Sequence, residues 1–350
     1  MSILFQDGCD LYGTDETKAF AYGWQTVLGS QETVIPTGGR FGGGSFTLFW
    51  AHNGWERTLT QTNVTTLFTF AAMKYPTGVY GESTWGFMEW KNDSDQLMAR
   101  VSLNAAQNVV IRDANGTIQD TSTQQMAPNA WFAVQVKFVA HATTGSIEVW
   151  VNGVQWAIAT NIDTMPASGN QYFQTVRFGA CGPNSAHTEW KDDFAIWDDS
   201  GSDFNTWTDG KDLRIDTIRP TADTAQEDFT PQGAGDQYVE VDDSPDHDVD
   251  ATYNESAGSG DKDRLEAGTI TGTPIAIYNV RVRGVAKKTD AGLANAKVGV
   301  FSGAAEGVSA AQGLSTDYGF LHHDLPLNPG DSLAWEKADI DAVQLQYEHA

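Results

Sequence analysis

Apolar and polar positions alternate strictly in short runs from one end of the chain to the other. Trp131-Phe-Ala-Val-Gln-Val-Lys-Phe138 places Phe132, Val134, Val136 and Phe138 on one face, the period-two pattern of a half-buried strand. A polar turn follows, and Ser146-Ile-Glu-Val-Trp-Val-Asn-Gly153 then puts Ile147, Val149 and Val151 on one face. Asn152-Gly153 predicts a two-residue type I′ turn, because that turn needs positive φ at both central positions. Val154, Trp156 and Ile158 lead the return strand, and Gln174–Gly179 and Lys191–Asp198 supply two further runs.

The same reading extends in both directions. Phe46, Leu48 and Trp50 share a face, as do Phe68, Phe70 and Ala72; Leu97, Ala99, Val101 and Leu103 line another strand. Trp85, Phe87 and Glu89 oppose Met88 and Trp90. Turn clusters separate these runs, among them Gly42-Gly-Gly44, Tyr75-Pro-Thr-Gly78, Lys91-Asn-Asp-Ser-Asp95 and Asp113-Ala-Asn-Gly116. No long segment has helical period, so the chain is expected to be all-β. After Trp197 the composition shifts to loop residues, and Leu213–Pro220 reads as a connecting strand. The predicted division is therefore 1–212 and 213–350. Between Asp236 and Glu266 eleven acids face only Lys262 and Arg264, a composition that on its own suggests a disordered or weakly ordered segment. Beyond it strands return, with Ile275, Ile277 and Asn279 opposing Tyr278, Val280 and Val282, then Val298 and Val300, then Val343, Leu345 and Tyr347.

Charge removes several function classes. A net charge of −25 over 350 residues argues against nucleic acid, which is held through clustered Lys and Arg, and against anionic membrane surfaces. The two cysteines, Cys9 and Cys181, make no disulfide framework and are expected as buried thiols. The opening Met1-Ser-Ile-Leu-Phe-Gln-Asp has no basic region followed by an apolar core, so no secretory signal is expected, and no stretch approaches a membrane span.

The succession of a Trp-led strand, a hairpin ending in Val-Asn-Gly, a strand ending in Phe178-Gly179, and Asp192-Asp-Phe-Ala-Ile-Trp-Asp198 resembles the concanavalin A-like (laminin G-like) jelly roll. A wider set of pieces resembles a family of tailed-bacteriophage virion proteins: Ile3-Leu-Phe-Gln-Asp-Gly-Cys-Asp-Leu-Tyr12, Arg40-Phe-Gly-Gly-Gly44 and Ile215-Asp-Thr-Ile-Arg-Pro220. Tyr238–Asp243, Ala251–Tyr253, Gly260–Asp263, Leu333–Glu336 and Ile340–Val343 follow in the same order. Cys9 departs from the family pattern, which carries a large aromatic there. The resemblance implies a structural virion component made in the host cytoplasm, with tail, fibre and capsid-surface positions all open. It supplies no catalytic residues. A virion part docked on other virion proteins must match the rotational symmetry of its attachment site, so a closed homo-oligomer is expected, with a trimer favoured.

Candidate chemistry is sparse. A retaining glycosidase needs two carboxyls about 5 Å apart. In Glu189-Trp-Lys-Asp-Asp193 alternation puts Glu189 and Asp192 on opposite faces and leaves Lys191 between Glu189 and Asp193. The adjacent His322 and His323 point to opposite faces if extended and read as solvated loop residues, and no Gly-x-Ser-x-Gly elbow is present. A calcium ion is the one cofactor the pattern suggests, at Asp242, Asp243, Asp246, Asp248 and Asp250, although EF-hand spacing fails. For a host surface glycan the stacking candidates are Trp55, Trp85, Trp90, Trp150 and Trp207, each near a turn or on a polar strand face, against the alternative of core packing. The expected architecture is thus a concanavalin A-like jelly roll followed by a smaller C-terminal β-sandwich. The expected function is a non-enzymatic structural part of a phage particle. A glycan-binding adhesin or receptor-binding subunit is the alternative, and a glycan hydrolase the third reading.

Overall fold

The structure is a computed structural model that describes residues 2–27, 32–49, 54–76, 86–165, 169–179, 188–200, 212–233, 235–244, 247–248 and 250–350. Trp50, Trp85, Cys181, Trp207 and Asp246 lie outside the described residues. The chain is all-β, and two compact units divide it, Met1–Ile215 and Asp216–Ala350.

The first unit is a jelly-roll sandwich of two antiparallel sheets. Its strands are β1 (Ile3–Asp7), β2 (Trp24–Val27), β3 (Glu32–Ile35), β4 (Ser45–Phe49) and β5 (Gly54–Thr58). There follow β6 (Thr66–Lys74), β7 (Met88–Asn92), β8 (Leu97–Leu103), β9 (Asn108–Asp113) and β10 (Ile118–Gln125). The last are β11 (Phe132–Val139), β12 (Gly145–Val151), β13 (Val154–Ile162), β14 (Phe173–Gly179) and β15 (Thr188–Asp198). Among the described residues one sheet runs β13-β12-β11-β6-β15-β4-β3 with β1 on β15, and the other runs β10-β9-β8-β7-β14-β5-β2.

The expected alternation is observed on β12, and on β11 the expected face is buried, although Ala133 and Gln135 on its other face are buried as well. Val134, Val136, Phe138, Ile147, Val149 and Val151 are buried, and Asn152 and Gly153 adopt φ of +48° and +82°, as the type I′ turn requires. Aromatic rings join the sheets: Phe46 of β4 stacks on Trp55 of β5 at 4.1 Å, and Trp90 of β7 meets Phe138 of β11 edge-on at 5.4 Å. Strand β13 departs from the simple pattern. Its buried residues are Ala157 and Ala159, while Val154 and Ile158 are exposed, because a bulge between Val149 and Trp150 shifts the register of the pair.

The second unit has strands β16 (Pro220–Glu227), β17 (Thr230–Pro231), β18 (Asn254–Glu255), β19 (Lys262–Ala267) and β20 (Val280–Ala286). It continues with β21 (Asn295–Ser302), β22 (Ala305–Val308), β23 (Gln312–Gly313), β24 (Gly319–Leu325) and β25 (Gln344–His349). The main sheet runs β16-β19-β25-β21-β22, with β23 also on β21. The β20–β24 pair packs Val282, Leu321 and Leu325 against Val298, Val300, Trp335, Ile340 and Val343, making a small second sandwich.

Three sequence expectations change here. Residues 212–219 form no strand: the Ile215 amide donates to Asp193 Oδ1 at 2.8 Å instead of joining a ladder. Ile275 and Ile277 also lie outside any strand, since Gly272 at φ +82° and Pro274, which lacks an N–H, interrupt pairing until Val280. The described part of the acidic stretch is built into the fold. Asp263 on β19, which is paired on both edges, is fully buried and accepts from the Asp228 and Phe229 amides at 2.7 and 2.9 Å and from Tyr347 OH at 2.7 Å. Glu240 is buried too and accepts from the Gly235 amide. At Asp263, with three donors, and at Glu240, a buried carboxylate stands where composition suggests a solvated one, while Asp236, Asp248, Asp250 and Glu255 are exposed.

Candidate functional site: a charged row across one sheet

On the sheet containing β7, every second residue turns away from the aromatic core, and those residues line up by register. Gln25 of β2 pairs with Glu56 of β5, Glu56 with Arg177 of β14, Arg177 with Glu89 of β7, Glu89 with Arg100 of β8, and Arg100 with Arg112 of β9. Six strands thus present one cross-strand row of three guanidinium groups and two carboxylates. Opposite charges are neighbours from Glu56 to Arg100. Arg100 and Arg112, by contrast, are like charges directly opposite one another, an arrangement that destabilises a sheet pair by itself.

The centre of the row is a buried ion pair. Arg177 Nη1 donates to Glu89 Oε2 at 3.1 Å, with the two side chains 4% exposed, and the Gly86 amide donates to Glu89 Oε1 at 2.8 Å. Two glycines make room for it. A Cβ on Gly54 would come within 2.7 Å of Arg177 Nε, and one on Gly86 within 2.9 Å of both Arg100 Cβ and Glu89 Cγ. On the flank, Lys91 Nζ bridges Glu56 and Asp95 at 3.0 Å each. Burial works against the ammonium there, yet these two hydrogen-bonded carboxylates hold its pKa above the ordinary lysine value.

At the other end both arginines reach the turn after β9. Arg112 Nη1 donates to Gly116 O at 3.0 Å, and a Cβ on Gly116 would lie 3.2 Å from Arg100 Nη2. Arg112 Nε has no hydrogen-bond partner among the described residues. Partial burial lowers the Arg100 pKa from its ordinary value; Glu89 opposes that shift and Arg112 adds to it.

The residues singled out from sequence fare unevenly. Trp55 and Trp90 are wholly buried in the core, Trp90 with its indole N–H on Thr69 Oγ1 at 3.0 Å, so neither is placed to stack on a sugar. This corrects their candidacy, and the reason is the inner face that each shares with Phe178 or Val176. Trp150 is half-buried, opposite Gln135 and Gln155 on the face of its sheet turned from the core. A half-exposed aromatic group that the sequence reading missed lies on the same sheet, where Lys74 Nζ sits 4.4 Å from the Trp190 ring and 5.2 Å from that of Trp131. Trp190 and Lys74 are register partners across β15 and β6, a proximity that sequence distance conceals.

The acidic candidates are engaged in structure. Asp243 accepts from the Asp248 amide, Asp248 accepts from Thr252, and Asp250 takes Lys287 Nζ at 2.5 Å and Tyr318 OH at 2.8 Å. Asp242 is half-buried. Among the described residues no three His, Cys, Asp or Glu side chains are grouped to hold a metal ion. His322 and His323 lie on β24 and not in a loop, His322 exposed and His323 half-buried. Burial lowers the His323 pKa, opposed by Asp324.

In the Glu189–Asp193 segment, Glu189 and Lys191 both point into the sandwich, 3.9 Å apart and almost fully buried. Asp193 occupies a bulge at φ +55°, so simple alternation does not carry through to it. Asp192 accepts the Arg40 and Asp193 amides, each at 2.7 Å.

No protein-family model matches the sequence, and no curated protein matches it. Solved structures with a similar fold include a cellulose-induced protein, Cip1, 16% identical with a TM-score of 0.42 over 55% of this chain and 96% of that one. Domain 4 of the arabinanase AbnA from Geobacillus stearothermophilus, in complex with arabinotriose, is 13% identical with a TM-score of 0.37 over 56% of this chain and 92% of its own. An endo-β-1,4-glucuronan lyase from Trichoderma reesei is 13% identical with a TM-score of 0.36, covering 50% and 90% respectively.

Proposed function

We propose that this chain is a non-catalytic glycan-binding subunit of the adhesin or receptor-binding kind, and that its first unit holds a saccharide at the half-buried end of the charged row, beyond the buried Arg177–Glu89 pair. On the resemblance of its sequence pieces to tailed-phage virion proteins, we place the subunit on the surface of a phage particle.

The observation that carries the binding reading is the register-aligned row Glu56–Arg177–Glu89–Arg100–Arg112. Saccharide hydroxyls donate and accept at once, so they are matched by guanidinium donors set beside carboxylate acceptors, and charge-assisted hydrogen bonds are the stronger kind. Strands hold those groups with little freedom left to lose on binding, which favours affinity. The row gathers three arginines on one sheet face of a chain of net charge −25.

The test is a glycan array probed with the full chain, followed by an assay for newly released sugar ends on every glycan retained. Retention without release is the expected result. Release of sugar ends would make the protein an enzyme, and retention of no glycan would return it to an inert structural part.

A further inference from the structure

On the other sheet of the first unit, β12 turns Glu148 and Trp150 to the outer face, while Val149 between them is buried. Register sets Lys137 of β11 opposite Glu148 and Gln155 of β13 opposite Trp150. Four half-buried side chains therefore gather on three adjacent strands: an indole, an amide, a carboxylate and an ammonium. Lys137 Nζ lies 3.6 Å from Glu148 Oε1, and Gln155 Nε2 donates to Glu148 Oε2 at 3.3 Å. Both contacts are longer than a close hydrogen bond, and the Lys137 and Glu148 side chains are 29% and 20% exposed, so their polar atoms are open to a ligand. The indole N–H of Trp150 is buried without a hydrogen-bond partner among the described residues, so the half-exposed ring offers its apolar part outward. A pyranose ring answers this chemistry: its C–H face packs on the indole, while its hydroxyls accept from Lys137 and donate to Glu148 and Gln155. Charge decides which kind of sugar. Lys137 and Glu148 neutralise each other within the group, and a chain of net charge −25 repels an anionic glycan.

We infer that Trp150, Gln155, Glu148 and Lys137 form a second saccharide site, which takes a neutral sugar unit. This rests on the glycan-binding reading for the kind of ligand and adds to it a site that shares no residue with the charged row. Adjacent strands hold the four side chains in register, so little order has to be created when the sugar binds.

The experiment is isothermal titration of the full chain with linear tetramers of glucose, mannose, galactose and xylose, and with a galacturonate tetramer beside them. At least one neutral tetramer should bind, with an affinity that stays level as sodium chloride is raised. Trp150→Ala should weaken that binding at least about tenfold, whereas Trp150→Phe, which keeps an aromatic face, should retain most of it. Gln155→Ala leaves the ring in place and should cost about fivefold, the loss of one hydrogen bond. Circular dichroism of each variant checks that the sandwich is intact. Binding of a neutral tetramer that Trp150→Ala and Gln155→Ala leave unchanged overturns the site, and galacturonate binding that Trp150→Ala abolishes overturns the choice of a neutral sugar. If no neutral tetramer binds while the glycan array retains other glycans, this site falls and the glycan-binding reading stands. If the array is blank as well, both fall together.

Discussion

At Asp193 the backbone enters the left-handed region, φ +55°, in the middle of a strand, and the carboxyl it carries is buried beside that of Asp192. Burial raises the Asp193 pKa well above the ordinary carboxylate value, and Asp192 raises it further. Asp192 is itself pushed up to about 7, by burial first, with the Arg40 and Asp193 amides opposing and Asp10 and Asp7 adding to the rise. Arg40 is the cation facing the pair, 3.8 Å from Asp193 Oδ2, and it is shared with Asp212 at 2.5 Å. A carboxyl whose folded pKa exceeds its unfolded value holds its proton more tightly in the folded chain. Its stabilising contribution is therefore full below the ordinary value of 3.8 and is lost as pH rises towards about 7. Asparagine tolerates positive φ and keeps the acceptor that the Ile215 amide uses, so Asp193→Asn removes charge without forcing the backbone. Thermal melts at pH 5 and pH 7 should show the variant gaining on the wild type as pH rises. A variant equally displaced from the wild type at both values would mean that the pair does not titrate in this window. Gly86→Ala belongs to the same scale. Its Cβ would meet Met88 O at 2.6 Å as well as the stems of Arg100 and Glu89, and crowding of that kind costs about 1–3 kcal/mol. Both melting temperature and glycan retention should fall in this variant.

Among the elements, β11 is the most demanding, because it is paired on both edges and buried on its inner face. Val136 lies between Thr69 of β6 and Val149 of β12 and is fully buried, so Val136→Asp places a carboxyl in the core without a partner. The first unit should fail to fold, read as loss of its strand signal in circular dichroism; a soluble, native-like variant would refute this register. In the second unit, Tyr347 OH donates to Asp263 and accepts from Asn254 Nδ2 at 2.7 Å, tying β25 to the acidic segment. Tyr347→Phe should cost about 1–3 kcal/mol, since it strips partners from two partly or wholly buried groups. Chemical denaturation of the second unit measures that cost. These elements also show what a sequence can disclose. Strands β11 and β12 and the Asn152-Gly153 turn were legible because one face is buried and the turn chemistry is local. Strand β13 was not, because a bulge exposes its large residues and buries its alanines. The charged row was not legible either, since Arg177 stands 88 residues from the glutamate it binds and only the order of strands in the sheet brings them together. Asp263 read as part of a solvated loop because its donors come from Asp228, Phe229 and Tyr347, none of them its neighbours in sequence.

At the scale of the whole molecule the chain carries two cores, each closed by its own strands. In the first, Trp24, Trp55 and Trp90 are fully buried with the phenylalanines around them; in the second, Trp335 anchors a smaller aliphatic cluster and donates its indole N–H to Leu325 O at 2.8 Å. Cooperative unfolding belongs to a unit with its own core, so calorimetry of the full chain should resolve two transitions instead of one. Substitutions then sort the transitions: Val136→Asp should abolish one and leave the other, and Tyr347→Phe should move only the one that Val136→Asp spares. The net charge of −25 acts on both, because like charges repel within each unit and salt screens them with a Debye length of about 10 Å at 0.1 M. Both melting temperatures should therefore rise as sodium chloride is added at neutral pH. A single transition that Val136→Asp and Tyr347→Phe both shift would show instead that the two cores unfold as one.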